Sequence, residues 1–111
     1  MTDILIMPMK ERHVSEVESI AQACFSKPWS RESIMADVKN PRAVALIALC
    51  GNEIAGFLCA FCVCEESTVN LIAVKDKFRK QGVASALFSE FLTCARSRGI
   101  KRLFLEVRES N

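Results

Sequence analysis

From Ala43 to Cys50 the chain is apolar without a break, Gly51-Asn52 interrupts it, and Ile54 to Cys64 is apolar again. No other feature restricts the fold as much. Two such runs meeting at a Gly-Asn pair predict an antiparallel hairpin closed by a tight turn. Neither run approaches the ~20 residues that a membrane-spanning helix requires. Glu65-Glu66-Ser67 reads as a second turn. Val69 to Val74, rich in β-branched residues, reads as the next strand.

Around the hairpin the apolar period changes. Val14, Val17, Ile20, Ala21 and Cys24 recur at steps of three and four, which predicts a helix. Ser15 and Glu18 have the spacing of a capping box, one residue inside that pattern. Ser30 is the expected N-cap of a second helix carrying Ile34, Met35 and Val38, ended by Asn40-Pro41. Ala84, Leu87, Phe88, Phe91, Leu92 and Ala95 form the clearest amphipathic stripe, with Gly99 as its stop. Ile4 to Met7 and Leu103 to Val107 read as the first and last strands. The order β-α-α-β-β-β-α-β predicts an α/β chain with a mixed, mostly antiparallel sheet and helices packed on it. The last strand–helix–strand unit predicts a right-handed crossover within one sheet.

Composition narrows the function. The 111 residues are half hydrophobic and a quarter charged, which suits one folded domain over 1–111 and excludes a disordered chain. The N-terminus has no basic segment followed by a signal-length apolar stretch, so the cytoplasm is the expected compartment. A net charge of +2 is too balanced for a dedicated nucleic-acid binder, and no membrane partner is expected. Two clusters are locally basic: Lys75, Lys77, Arg79 and Lys80, then Arg96, Arg98, Lys101 and Arg102.

Of the six cysteines, Cys59, Cys62 and Cys64 have a spacing that invites a metal. No second pair completes four ligands, and His13 is the sole histidine. The expectation is no metal, with buried, reduced thiols.

The junction from Val74 to Ala84 carries the chemistry. A strand ends, Lys75 to Gln81 intervene, and the strongest helix starts after Gly82. Helix N-termini hold unpaired N–H groups and partial positive charge, so this one can hold an anion. Small residues at 82 and 84 let a phosphate approach the backbone.

The whole pattern, Val74-x4-Arg79-x2-Gly82-x-Ala84, resembles the acetyl-CoA signature of the GNAT N-acetyltransferases. The resemblance implies the GNAT fold and acetyl-CoA as cosubstrate. It implies that Ile72, Ala73 and Val74 line the pantetheine arm. Arg79, Lys80, Gln81, Gly82, Val83, Ala84 and Ser85 would cradle the phosphates. Three segments are similar to the RimI branch of that family: Phe25-Ser26-Lys27-Pro28-Trp29-Ser30, Asn70 to Val74, and Leu105-Glu106-Val107-Arg108-Glu109-Ser110-Asn111. That branch acetylates the N-terminal alanine of a small-subunit ribosomal protein. By resemblance Glu106 is the catalytic base and Asn111 a CoA contact, while Trp29 is assigned to packing.

RimI-like chains continue past this asparagine through a helix and two strands, which carry a tyrosine acting as general acid. This sequence has no tyrosine. The expectation is therefore a C-terminally incomplete chain, its closing strands missing, that binds CoA weakly and acetylates slowly. Its last strand would be left with an open edge that favours a dimer. Competing readings are acetylation of a lysine or small amine, and a non-catalytic module associated with the ribosome.

Overall fold

A computed structural model describes residues 3–106. Five strands form one sheet in the order β1-β2-β3-β4-β5: β1 (Ile4–Pro8), β2 (Ala43–Cys50), β3 (Glu53–Val63), β4 (Glu66–Val74) and β5 (Arg102–Leu105). Neighbours are antiparallel except β4 and β5, which run parallel. Three helices complete the chain: α1 (Val14–Cys24), α2 (Arg31–Lys39) and α3 (Val83–Ser97). This is the predicted element order. No helix among the described residues is long and apolar enough to cross a membrane.

The continuous apolar runs of β2 and β3 are explained by cover on both faces. Ile47, Phe57 and Cys59 face α1 and α2, in a core with Val14, Val17, Ile20 and Ile34. Leu46, Ala48, Leu58 and Ala60 face α3, in a core with Leu87, Phe91 and Ala95. The cysteine spacing resolves accordingly: Cys59 and Cys62 fall in different cores, and Cys64 is exposed.

Both hairpins close with two-residue loops. Gly51 takes φ +65° in the first, as the Gly-Asn pair predicts. The second is tighter than expected. Val63 pairs with Glu66, so only Cys64-Glu65 turn the chain, Cys64 at φ +55°, and β4 begins three residues before Val69. The polar run hid this start, because Glu66 and Thr68 lie on the less covered side of the strand.

Helix ends follow their predicted chemistry with one correction. Ser30 Oγ accepts the Ser33 N–H at 3.1 Å, capping α2. Gly99, at φ +77°, lets Ile100 N–H return to the Ala95 carbonyl at 3.0 Å. The Ser15–Glu18 capping box is not formed. A single tight turn over Glu11–His13 leads into α1, with Lys10 N–H donating to His13 Nδ1 at 2.9 Å. Ser15 is thereby already inside the helix, its carbonyl accepting from the Ser19 hydroxyl.

One irregularity in β4 positions everything that follows. Cys59 pairs with Leu71 and Ala60 with Val69, so Asn70 is an extra residue, a bulge. The strand's faces exchange there. Val69 packs on the α3 side, whereas Leu71 and Ala73 pack against α1 and α2. Pairing with β5 stops at the same place, covering only Glu66 to Val69.

Candidate functional site

Beyond the bulge, the last residues of β4 have a strand on one side only. Lys75 N–H donates to the Ala55 carbonyl at 2.7 Å. Alternation along the strand therefore turns the backbone groups of Ala73 toward β3 and those of Ile72 and Val74 toward the open edge. Nothing among the described residues pairs with that edge as a strand. Gly56 of β3, opposite Val74, shows how closely the two strands approach here: a Cβ at that position would lie 2.5 Å from the Ala73 carbonyl.

The open edge runs directly into the start of α3. Gly82 is the N-cap at φ +87°, no side chain caps the helix, and its first turn holds no acidic residue. The first N–H groups of α3 are thus available to a ligand, and the dipole there is uncompensated. Lys80 also adopts a left-handed conformation, φ +63°. Left-handed residues thus flank Gln81 on both sides just before the helix. A non-glycine residue pays conformational strain to sit there.

A cavity of about 440 Å³ occupies this corner. Ile72, Ala73, Val74, Arg79, Lys80, Gly82, Val83, Ala84 and Ser85 line it. Gln81 does not; its side chain donates to the Lys77 carbonyl at 3.1 Å and braces the loop. Val83 is buried in the core against Leu87, so it offers backbone rather than side chain. Two lining residues, Cys24 and Phe78, were not anticipated. Cys24 follows the apolar period of α1 and carries no sequence signal beyond it. Phe78 sits in a loop whose path local sequence does not determine.

The structure partners much of the basic character. Glu53 holds Lys75 at 3.1 Å and Lys77 at 2.9 Å. The two lysines' hydrogen bonds, Lys77 first, keep its carboxyl below the ordinary value. Arg79 pairs with Asp76 at 3.3 Å and directs Nε to the Val74 carbonyl at 3.2 Å. Lys80 takes part in none of the described ion pairs. In the second cluster, Arg98 bonds the Pro41 and Ala43 carbonyls, Lys101 pairs with Glu65 and Arg102 with Glu66. That cluster chiefly fastens α3 and β5 to their neighbours.

Glu106 directly follows β5, where its described pairing with β4 ends. Its N–H donates to the Val69 carbonyl at 3.0 Å, next to the bulge, and the residue is exposed. Asn111, and the predicted strand positions Val107 and Arg108, lie outside the described residues.

This corner suits a ligand that ends in phosphates and carries amides along an arm. The strand edge is unpaired among the described residues, and the helix N-terminus beside it is uncapped. The profile of the Acetyltransferase (GNAT) family matches residues 14–111. The chain is 30% identical to the [ribosomal protein bS18]-alanine N-acetyltransferase of Haemophilus ducreyi, over 96% of this chain and 73% of that protein. It is 32% identical to the Escherichia coli protein of the same name, over 83% of this chain and 62% of that one. The crystal structure of the ribosomal-protein-S18-alanine N-acetyltransferase from Escherichia coli has the same fold, with a TM-score of 0.84 at 22% identity. That match covers 93% of this chain and 66% of the other. The PaiA N-acetyltransferase from Thermoplasma acidophilum, solved in complex with coenzyme A, also shares the fold, with a TM-score of 0.81 at 13% identity. It covers 88% of this chain and 75% of that one. With residues 14–111 matched by the family profile and the fold shared over 93% of its length with the Escherichia coli structure, the chain belongs to the GNAT acetyltransferase family.

Proposed function

We propose that this chain transfers the acetyl group of acetyl-CoA to a protein N-terminal amine, that of an alanine on a small-subunit ribosomal protein. The observation that carries the reading is the continuity of the open β4 edge with the uncapped start of α3. The names of the relatives supply the acceptor.

Acetyl-CoA supplies the activated thioester. In this reading the backbone groups of Ile72 and the N–H of Val74 bind the arm as a strand would. The N–H groups from Lys80 to Ser85 hold the phosphates. Described pairing between β4 and β5 ends at Val69, just before the bulge at Asn70, and in this reading the amine reaches the thioester carbon beyond that point. As the nitrogen attacks, the C–S bond breaks and the sulfur leaves as a thiolate. The amine proton passes to Glu106, directly or through one water. Little is asked of that base: a free α-amine has a pKa near 8, so an appreciable fraction is neutral at pH 7.

Acetyl transfer from acetyl-CoA to peptides that differ only in their first residue, followed by mass spectrometry, tests the reading. The expected result is acetylation at the N-terminal nitrogen with preference for alanine. Acetylation confined to lysine side chains or small amines would move the acceptor within the family, and no transfer to any amine would overturn the reading.

A further inference from the structure

Arg79 belongs to the loop at the candidate phosphate site, yet each of its three guanidinium nitrogens has a partner elsewhere. Nε donates to the Val74 carbonyl at 3.2 Å, Nη1 lies 3.3 Å from Asp76 Oδ1, and Nη2 donates to Cys24 Sγ at 3.7 Å. The Cys24 thiol in turn donates to the same Val74 carbonyl at 3.6 Å. That carbonyl is the last acceptor on the open edge of β4, and two donors now occupy it. Cys24 is the C-terminal residue of α1 and 3% exposed. The three residues therefore join the end of α1, the end of β4 and the start of the loop at one point.

The point is also a partition. Cys24 and Arg79 line both the 440 Å³ corner and a second cavity of about 530 Å³ between α1 and the segment from Lys75 to Lys77. The loop passes between these two voids, packed on the α3-side core through Phe78 and fastened toward α1 through Arg79 and Cys24.

We propose that Arg79 and Cys24 form a clip on the Val74 carbonyl that holds the loop in its anion-binding shape, Arg79 acting as a positioning residue rather than as a phosphate ligand. The proposal rests on the acetyl-CoA reading above. Without the clip, the end of β4 and the N–H groups of the loop lose their common anchor. Binding weakens because the cradle must then be ordered by the ligand itself.

The test is the affinity of CoA for the 111-residue chain by calorimetry, over a series of salt concentrations. Steady-state kinetics and a thermal melt of every variant accompany it. Cys24→Ala and Arg79→Gln are each expected to weaken CoA about fivefold, the worth of one hydrogen bond. The double variant should lose little more than either, because the two act as a unit. Cys24→Ser, which keeps a donor, should stay within about twofold of the parent. The slope of affinity against salt should be the same in all variants, and KM for acetyl-CoA should rise with kcat unchanged. A loss in Arg79→Gln alone, with a reduced salt slope, would make Arg79 a phosphate ligand and overturn the clip. Unchanged CoA affinity in folded Cys24→Ala would overturn it equally. A parent chain that binds no CoA would refute the acetyl-CoA reading, and the clip with it.

Discussion

At the scale of single residues, Glu106 and Glu53 do opposite things with a carboxylate. Glu106 is exposed, directly after β5, and its proposed work is to accept one proton. Glu106→Gln keeps the shape and removes the base. Its expected effect is a fall in kcat of about a hundredfold at neutral pH, with KM for acetyl-CoA unchanged. Recovery of rate at high pH, where the amine deprotonates itself, is the signature to measure. Glu53 never meets the substrate. The hydrogen bonds from Lys77 and Lys75 lower its pKa from 4.5, so the folded state favours its charged form. The resulting stability is present above pH 4.5 and is lost as the pH falls through the lower folded value. Urea unfolding of the parent and Glu53→Gln should therefore differ at about pH 6, and the difference should shrink as the pH falls below 4.5. A difference that persists in acid would mean the lysines matter for packing and not for charge.

At the scale of elements, the start of α3 forgoes the stability that a side-chain cap or an acidic first turn would add. An acidic residue in the first turn would satisfy the dipole, yet none is present. Ser85→Asp is expected to raise the thermal midpoint slightly, the helix gaining about 0.5 kcal/mol. The same charge should repel phosphates and weaken CoA at least tenfold in low salt. A variant that is more stable and binds CoA as before would show that the anion sits elsewhere. The strand behind this helix has no such latitude. Gly56→Ala puts a methyl against the Ala73 carbonyl and Val83 Cγ1. It should cost about 1–3 kcal/mol by chemical denaturation. The element order was legible in the residues because the long apolar runs, the stripe of α3 and the Ser30 cap are local signals. The bulge at Asn70 was not. A single extra residue shows only through the register it shifts in a neighbouring strand.

At the scale of the whole molecule, β5 is the exposed margin of the sheet. Leu103, Phe104 and Leu105 are 41%, 47% and 63% exposed. Because Glu106 N–H points to β4, alternation directs the backbone groups of Leu103 and Leu105 outward. A second copy related by a two-fold axis through Phe104 would pair Leu103 with the partner's Leu105 and Arg102 with the partner's Glu106. The segment from Arg102 to Glu106 is thus self-complementary in charge and apolarity. The 111-residue chain is expected to associate at high concentration through this edge, and Leu105→Lys to suppress it. Light scattering that finds one monomeric species at every concentration would count against both.

The sequence alone determined which elements form, in what order, and that a turn of small and basic residues leads from Val74 into the start of a helix at Ala84. Those properties depend on side-chain period, capping residues and glycine, all readable within a few positions. Only the tertiary structure decided that the open edge presents Ile72 and Val74, that Gln81 braces the loop from outside, and that Arg79 turns to Val74 and Cys24. The reason is physical. A backbone group or guanidinium takes its partner from whatever the fold brings near, and here that partner comes from α1, 55 residues earlier in the chain.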